Sequence, residues 1–144
     1  MVVEFIIHGN PVAQGRPRFA RIGNHVRAYD PAKSRSWKES VRWAAVEGMN
    51  MKRHSLFTEA LAVEITFWFQ RPRGHYGTGK KAGFVKDSAP RHHTIKPDVE
   101  NCVKGVLDGM KGIVYRDDSQ VVMLIAKKRY TTDAPFTEVD VRAT

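Results

Sequence analysis

Pro97-Asp98-Val99-Glu100-Asn101-Cys102-Val103-Lys104-Gly105-Val106-Leu107-Asp108-Gly109-Met110-Lys111-Gly112, followed by Val121-Val122-Met123-Leu124-Ile125-Ala126, is the part of this sequence that decides the fold. Cys102, Val103, Val106, Leu107 and Met110 recur at helical spacing, so Asp98–Lys111 reads as a helix with that apolar stripe turned inward. Pro97 stands before it, and Gly109 and Gly112 mark its end. Six uncharged apolar residues from Val121 to Ala126 predict a strand buried on both faces, continued by Lys127-Lys-Arg-Tyr130. Between helix and strand, Ile113-Val-Tyr115 suits a short strand, and Arg116-Asp-Asp-Ser119 is a turn by composition.

Outward from this segment the same logic gives the remaining elements. Val2–His8 is a first strand, ended by Gly9-Asn-Pro11. It has a carboxylate, Glu4, inside its apolar run and no basic leader, which argues against a signal peptide. Gln14–Arg21 is a basic loop. Asp30-Pro31 resembles an N-cap followed by a first-turn proline, opening a helix to about Gly48 with Trp37, Val41, Ala44 and Ala45 inward. Leu61–Phe69 is a strand with Val63, Ile65, Phe67 and Phe69 on one face. Residues 71–96 form a long flexible basic loop, with seven cations against Asp87 alone. Thr137–Val141 alternates and closes the sheet. The expected fold is a single α+β domain over residues 1–144, a mixed β-sheet packed against helices. Trp37, Trp43 and Trp68 are assigned to its core.

The chain of 144 residues carries 24 Lys+Arg against 15 Asp+Glu, a net charge of +9. Such an excess suits a polyanionic partner, nucleic acid before a membrane surface, because no long basic amphipathic helix accompanies it. No apolar run is long enough to span a bilayer. The single cysteine, Cys102, cannot form an internal disulfide, which fits a reducing cytoplasm, and its place on the apolar stripe makes it a core residue.

Two acidic clusters carry the candidate chemistry. Asp98 and Glu100, two residues apart, point to one side if the chain there is extended. Lys104 shares a helix face with Glu100 once the helix has begun. Asp117-Asp118 sits in the turn before the apolar strand. Three carboxylates from a helix start and a strand edge are what an oxygen-ligated Mg²⁺ or Mn²⁺ needs, and such an ion activates water against a phosphodiester. A plainer reading stays open: Asp98 as an N-cap, Glu100 as a first-turn acid and Asp117-Asp118 as turn residues. His92 and His93 lack companions at zinc-ligand spacing, and no Gly-rich phosphate loop is present. Arg16, Arg18 and Arg21, with Arg91 and Lys96 from the long loop, are candidate phosphate contacts, or simply solvated surface.

Lys96-Pro-Asp-Val-Glu-Asn-Cys-Val-Lys-Gly-Val-Leu-Asp-Gly-Met110, then Val114-Tyr-Arg-Asp-Asp-Ser-Gln-Val-Val122, then Lys127-Lys-Arg-Tyr130 together resemble the RusA family of Holliday junction resolvases. Gly9-Asn-Pro-Val and Gln14-Gly-Arg-Pro-Arg-Phe19 resemble the version found in bacteria, prophages and phages. The resemblance implies a homodimeric crossover junction endodeoxyribonuclease that needs Mg²⁺, for which Mn²⁺ substitutes, and no small-molecule cofactor. It implies paired nicks in opposed strands of branched DNA during recombination and repair, in the cytoplasm of a bacterium or phage-infected host. It places the essential acids on Asp98, Glu100 and Asp118 and the functional lysine on Lys104. The second acid is usually aspartate, and Glu100 reaches one methylene further. Two alternatives remain: a non-catalytic basic DNA-binding module, and a general structure-selective nuclease acting on flaps and forks.

Overall fold

The protein is described by a computed structural model covering residues 1–15, 18–29 and 31–144. Strands β1 (Val2–His8), β4 (Leu61–Gln70), β5 (Val121–Thr131) and β6 (Phe136–Ala143) make one mixed sheet in the order β1-β6-β4-β5. β6 runs antiparallel to both β1 and β4, whereas β5 runs parallel to β4. Helix α1 (Ala32–Met51) packs on β1 and on α2 (Val99–Met110). A parallel β4–β5 pair needs a crossover, and α2 lies in it.

One apolar core joins these parts. Val3, Phe5 and Ile7 alternate inward along β1, Val139 and Val141 along β6, and Val63, Ile65, Phe67 and Phe69 along β4, as the period-2 pattern requires. Trp37, Val41, Ala45 and Met49 of α1 and Cys102, Val103, Val106 and Met110 of α2 complete it. Burial pushes the Cys102 thiol up to about 11, so it stays protonated at neutral pH.

Four expectations are corrected. β6 does not end the sheet but lies inside it, between β1 and β4. Ile113–Tyr115 is not a strand; Tyr115 only bridges singly to Phe57 and Lys111, and Gly112, at φ 83°, turns the chain there. Part of the Gln14–Arg21 loop is a strand: β2 (Arg18–Ile22) pairs antiparallel with β3 (His25–Tyr29) around a Gly23-Asn24 turn. Finally, β5 is an edge strand, so Val122–Ile125 is exposed rather than buried on both faces. Trp37 is in the core, but Trp43 is 70% exposed on the outer side of α1, and Trp68 is half-buried, stacked on Phe136. Asp30, read as the cap of α1, lies outside the described residues.

The 71–96 segment is tied to the sheet at identifiable points. It contains two short 3-10 turns, Arg73–His75 and Gly79–Lys81, and a Tyr76–Val85 bridge. Arg71 donates to the Pro90 carbonyl at 2.7 Å and stands 4.7 Å from the Tyr130 ring centroid. His93 is buried, its ring 3.9 Å from that of Phe69 and 5.0 Å from that of Tyr130. Burial first, and the Lys128 ammonium second, hold its pKa below the ordinary 6.5. As pH falls through that ordinary value, the unfolded chain takes a proton that the native imidazole refuses, and stability drops until the depressed native pKa is passed. The melting temperature is therefore expected to fall between pH 7.5 and 5.5, and His93→Phe to lessen that fall, as read by pH-dependent calorimetry.

Candidate active site

Residues 96–120 contain five acids, and the structure divides them by what they do. Asp108 pairs with Lys38 at 3.8 Å. Asp117 caps the 3-10 turn Asp118–Gln120 by accepting from the Ser119 amide at 3.1 Å, and binds the Lys111 ammonium at 2.9 Å. The ammonium and these hydrogen bonds hold the Asp117 carboxyl well below the usual carboxylate range. Asp98, Glu100 and Asp118 are exposed, and their carboxylates enter no hydrogen bond or ion pair among the described residues.

Asp98 occupies the N-cap position of α2, with φ −67° and ψ 143°, and its carbonyl accepts from the Cys102 amide at 3.2 Å. Its side chain, however, makes no capping hydrogen bond. An N-cap aspartate ordinarily satisfies a first-turn amide. This one leaves its carboxylate facing solvent at the positive end of the helix dipole. Glu100 is in the same first turn, and Lys104, exposed, lies one turn on. These three are brought together by α2 itself.

Asp118 is not brought to them. Twelve helical residues rise about 18 Å, and Lys111, just beyond the far end of α2, is the residue that grips Asp117. Among the described residues no three of His, Cys, Asp and Glu gather closely enough to hold one metal ion. The expected meeting of Asp98, Glu100 and Asp118 around one cation is thus not made within a single chain.

Two positioning residues were missed in the sequence. Lys128 on β5 donates to the carbonyls of Ile95 and Pro97, both at 2.8 Å, and so ties the approach to Asp98 onto the sheet. Nothing local distinguished it from its neighbours Lys127, which pairs with Glu64 at 2.9 Å, and Arg129, which lies over Trp68. Gln120 accepts from the amides of Arg116 and Asp117 and donates to the carbonyls of Phe57 and Glu59, fixing the turn that carries Asp118. Its spacing from Asp117 is that of a capping box, a legible signal.

The described candidate phosphate contacts lie on β2 and in the long loop before α2. The Gln14 amide donates to the Asn101 carbonyl at 2.9 Å and the Gly15 amide to Ser34 Oγ at 2.8 Å, which docks the chain leading to β2 against both helices. Arg18 and Arg21 are exposed on β2, and Arg91 and Lys96 are exposed in the long loop; Arg16 lies outside the described residues. Arg91 and His92 line one cleft with Trp68 and Lys127–Tyr130, a basic, aromatic-edged surface suited to a phosphodiester chain. Among the described residues no helix is long and apolar enough to cross a membrane.

A protein of Bacillus subtilis (strain 168), "Uncharacterized protein YqaN", is 35% identical over 140 residues, which is 97% of this chain and 95% of the relative. The profile of Endodeoxyribonuclease RusA matches residues 8–142, from the end of β1 to β6. That span takes in the unspent acids, the basic segments and strands β4, β5 and nearly all of β6, and on it the chain belongs to the RusA endodeoxyribonuclease family.

Proposed function

We propose that this protein is a homodimeric endonuclease that resolves Holliday junctions by paired hydrolytic nicks in opposed strands, dependent on Mg²⁺ or Mn²⁺, in DNA recombination and repair. The observation that carries the reading is the division of labour among the five acids of residues 96–120: two are consumed by structure, and Asp98, Glu100 and Asp118 are not. An acid that neither accepts a capping hydrogen bond nor pairs gives the fold little, beyond the helix-dipole contribution open to Asp98 and Glu100, and in a chain of net charge +9 it weakens the field that attracts DNA. Its use is then chemical.

Asp98 and Glu100 offer the hard oxygen donors that Mg²⁺ favours, and Asp118 offers a third only from outside the first turn of the same α2. Such an ion, when bound, supplies Lewis acidity toward a phosphodiester. The chain's own cations do the rest. Lys104 brings a point charge to the face shared with Glu100, where a phosphate would be held. Arg18, Arg21, Arg91 and Lys96 would grip the backbone without reading bases, the mode suited to a substrate recognised by shape.

The test uses a synthetic four-way junction with Mg²⁺, Mn²⁺ or EDTA. Symmetrical nicks in opposed strands, present with either ion and absent with EDTA, are expected. Cutting that persists in EDTA would overturn the metal dependence. Steeply salt-dependent binding with no cutting under either ion would make the protein a DNA-binding module instead. Equal cutting of flaps and forks would broaden the substrate to branched DNA in general.

A further inference from the structure

We infer that Phe84 stacks on a nucleobase face laid bare where DNA strands exchange, and so lets the protein tell branched DNA from continuous duplex. The choice of branched DNA rests on the proposed nuclease reading. Residues 75–86 form a small closed hairpin. The Lys86 amide donates to the His75 carbonyl at 2.8 Å and the Gly77 amide to the Phe84 carbonyl at 2.9 Å, on either side of the Tyr76–Val85 bridge. At its tip the Lys81 amide donates to the Thr78 carbonyl and the Phe84 amide to the Lys81 carbonyl, both at 3.0 Å, and Gly79 turns the chain at φ 59°. A Cβ on Gly77 would stand 2.6 Å from the Lys81 carbonyl oxygen, so only glycine lets the turn close this tightly. On this pinned backbone Phe84 is 69% exposed. A lone exposed ring is ordinary on a protein surface; what marks this one is its company. Lys80, Lys81 and Lys86 are exposed around it, and no carboxylate among the described residues pairs with them. An aromatic ring set among free cations is the combination that holds unpaired nucleic acid, the ring on a base and the cations on phosphates.

Topology sets this hairpin at the end of the sheet that carries Asp98. β4 and β5 run parallel and finish together, Gln70 opposite Thr131. The hairpin springs from that end: the Arg71 amide donates to the Thr131 carbonyl at 3.2 Å, and the His75 ring meets the Tyr130 ring edge-on at 5.1 Å. The same segment then returns to Asp98 through Ile95 and Pro97, whose carbonyls Lys128 of β5 holds. DNA lying across the start of α2 therefore passes the end from which Phe84 projects. In a continuous duplex every base is covered above and below by its neighbours, and the ring finds no partner. Where strands exchange, stacking is interrupted and base faces become available. Lysines on phosphates grip both forms alike, whereas the ring adds affinity only for the branched one.

Equilibrium binding of the full chain in EDTA, to a synthetic four-way junction and to a continuous duplex of equal length, reads this contact apart from cutting. Phe84→Ala should weaken junction binding about 5–100-fold and leave duplex binding as it was, with Phe84→Tyr restoring most of the loss. The ring is exposed, so the melting temperature should not move. Lys80→Ala combined with Lys86→Ala should instead weaken binding to both DNAs and reduce the salt slope by about two. 2-Aminopurine placed beside the branch point, whose fluorescence follows its stacking, should respond to the native chain and not to Phe84→Ala. A Phe84→Ala protein that binds the junction like the parent, or that loses junction and duplex affinity equally, would overturn the inference. So would a native chain that binds the two DNAs equally well. Junction preference that depends on Phe84 in a protein that cuts nothing would sink the nuclease reading and leave this contact standing. Junction cutting by a protein whose preference survives Phe84→Ala would do the reverse.

Discussion

Asp98→Asn is expected to leave the protein folded and to reduce junction cleavage by about 10²–10³-fold, roughly 3–4 kcal/mol of transition-state stabilisation. The substitution keeps the shape of the side chain and removes only its charge. Asparagine serves at an N-cap as well as aspartate, and the Asp98 carboxylate makes no capping bond to lose. Its position is exposed, so the melting temperature should barely move. Junction affinity should hold or rise, because one negative charge beside the phosphates is gone. The purely structural reading of Asp98 predicts unchanged cutting, if any, because asparagine is an equivalent cap. Single-turnover cleavage with saturating protein separates the two, since it reads chemistry apart from binding. Asp117→Asn is the informative contrast. That carboxylate holds Lys111 and the Ser119 amide, so its loss should loosen the turn carrying Asp118.

Much of this site was legible because helix starts advertise themselves. Pro97, Asp98 and the stripe from Cys102 to Met110 located α2 within a residue of its bounds, and with it the positions of Glu100 and Lys104. Distance across the fold was not legible. The two acidic clusters are separated by one helix in the sequence, and whether such a helix folds back to join its ends or holds them apart depends on its packing. Here α2 lies in the crossover between β4 and β5, and among the described residues no three metal-binding side chains gather across its ends. The same limit explains β5. Six apolar residues describe a strand that wants cover on both faces, but which strand ends a sheet is set by pairing at a distance. The β2–β3 hairpin was obscured because arginines interrupt its alternation, although Gly23-Asn24 is a recognisable two-residue turn.

Gly109 shows how a residue can be read for the wrong property. In the sequence it marks the end of a helix; in the structure it lies inside α2, buried where that helix meets α1. A Cβ added there would stand 2.6 Å from Val41 Cγ1, 2.7 Å from Val41 Cβ and 3.1 Å from the Lys38 carbonyl oxygen. Alanine is the better helix former by about 1 kcal/mol, so intrinsic propensity alone predicts that Gly109→Ala stabilises. Packing predicts the reverse. Val41 is fully buried and β-branched, with little freedom to turn aside, and the carbonyl belongs to backbone. Relief requires α1 and α2 to separate, and overpacking of that kind costs about 1–3 kcal/mol or more. We therefore expect a net destabilisation of about 2 kcal/mol, a fall of roughly 4–8 °C in melting temperature for a domain of this size. Val41→Ala should be costly alone yet partly restore stability beside Gly109→Ala, because the two substitutions share one contact. A Gly109→Ala protein that melts higher than the parent would show that the helices part without cost. In that case the α1–α2 contact would not be what holds the start of α2, and Asp98 with it, in place.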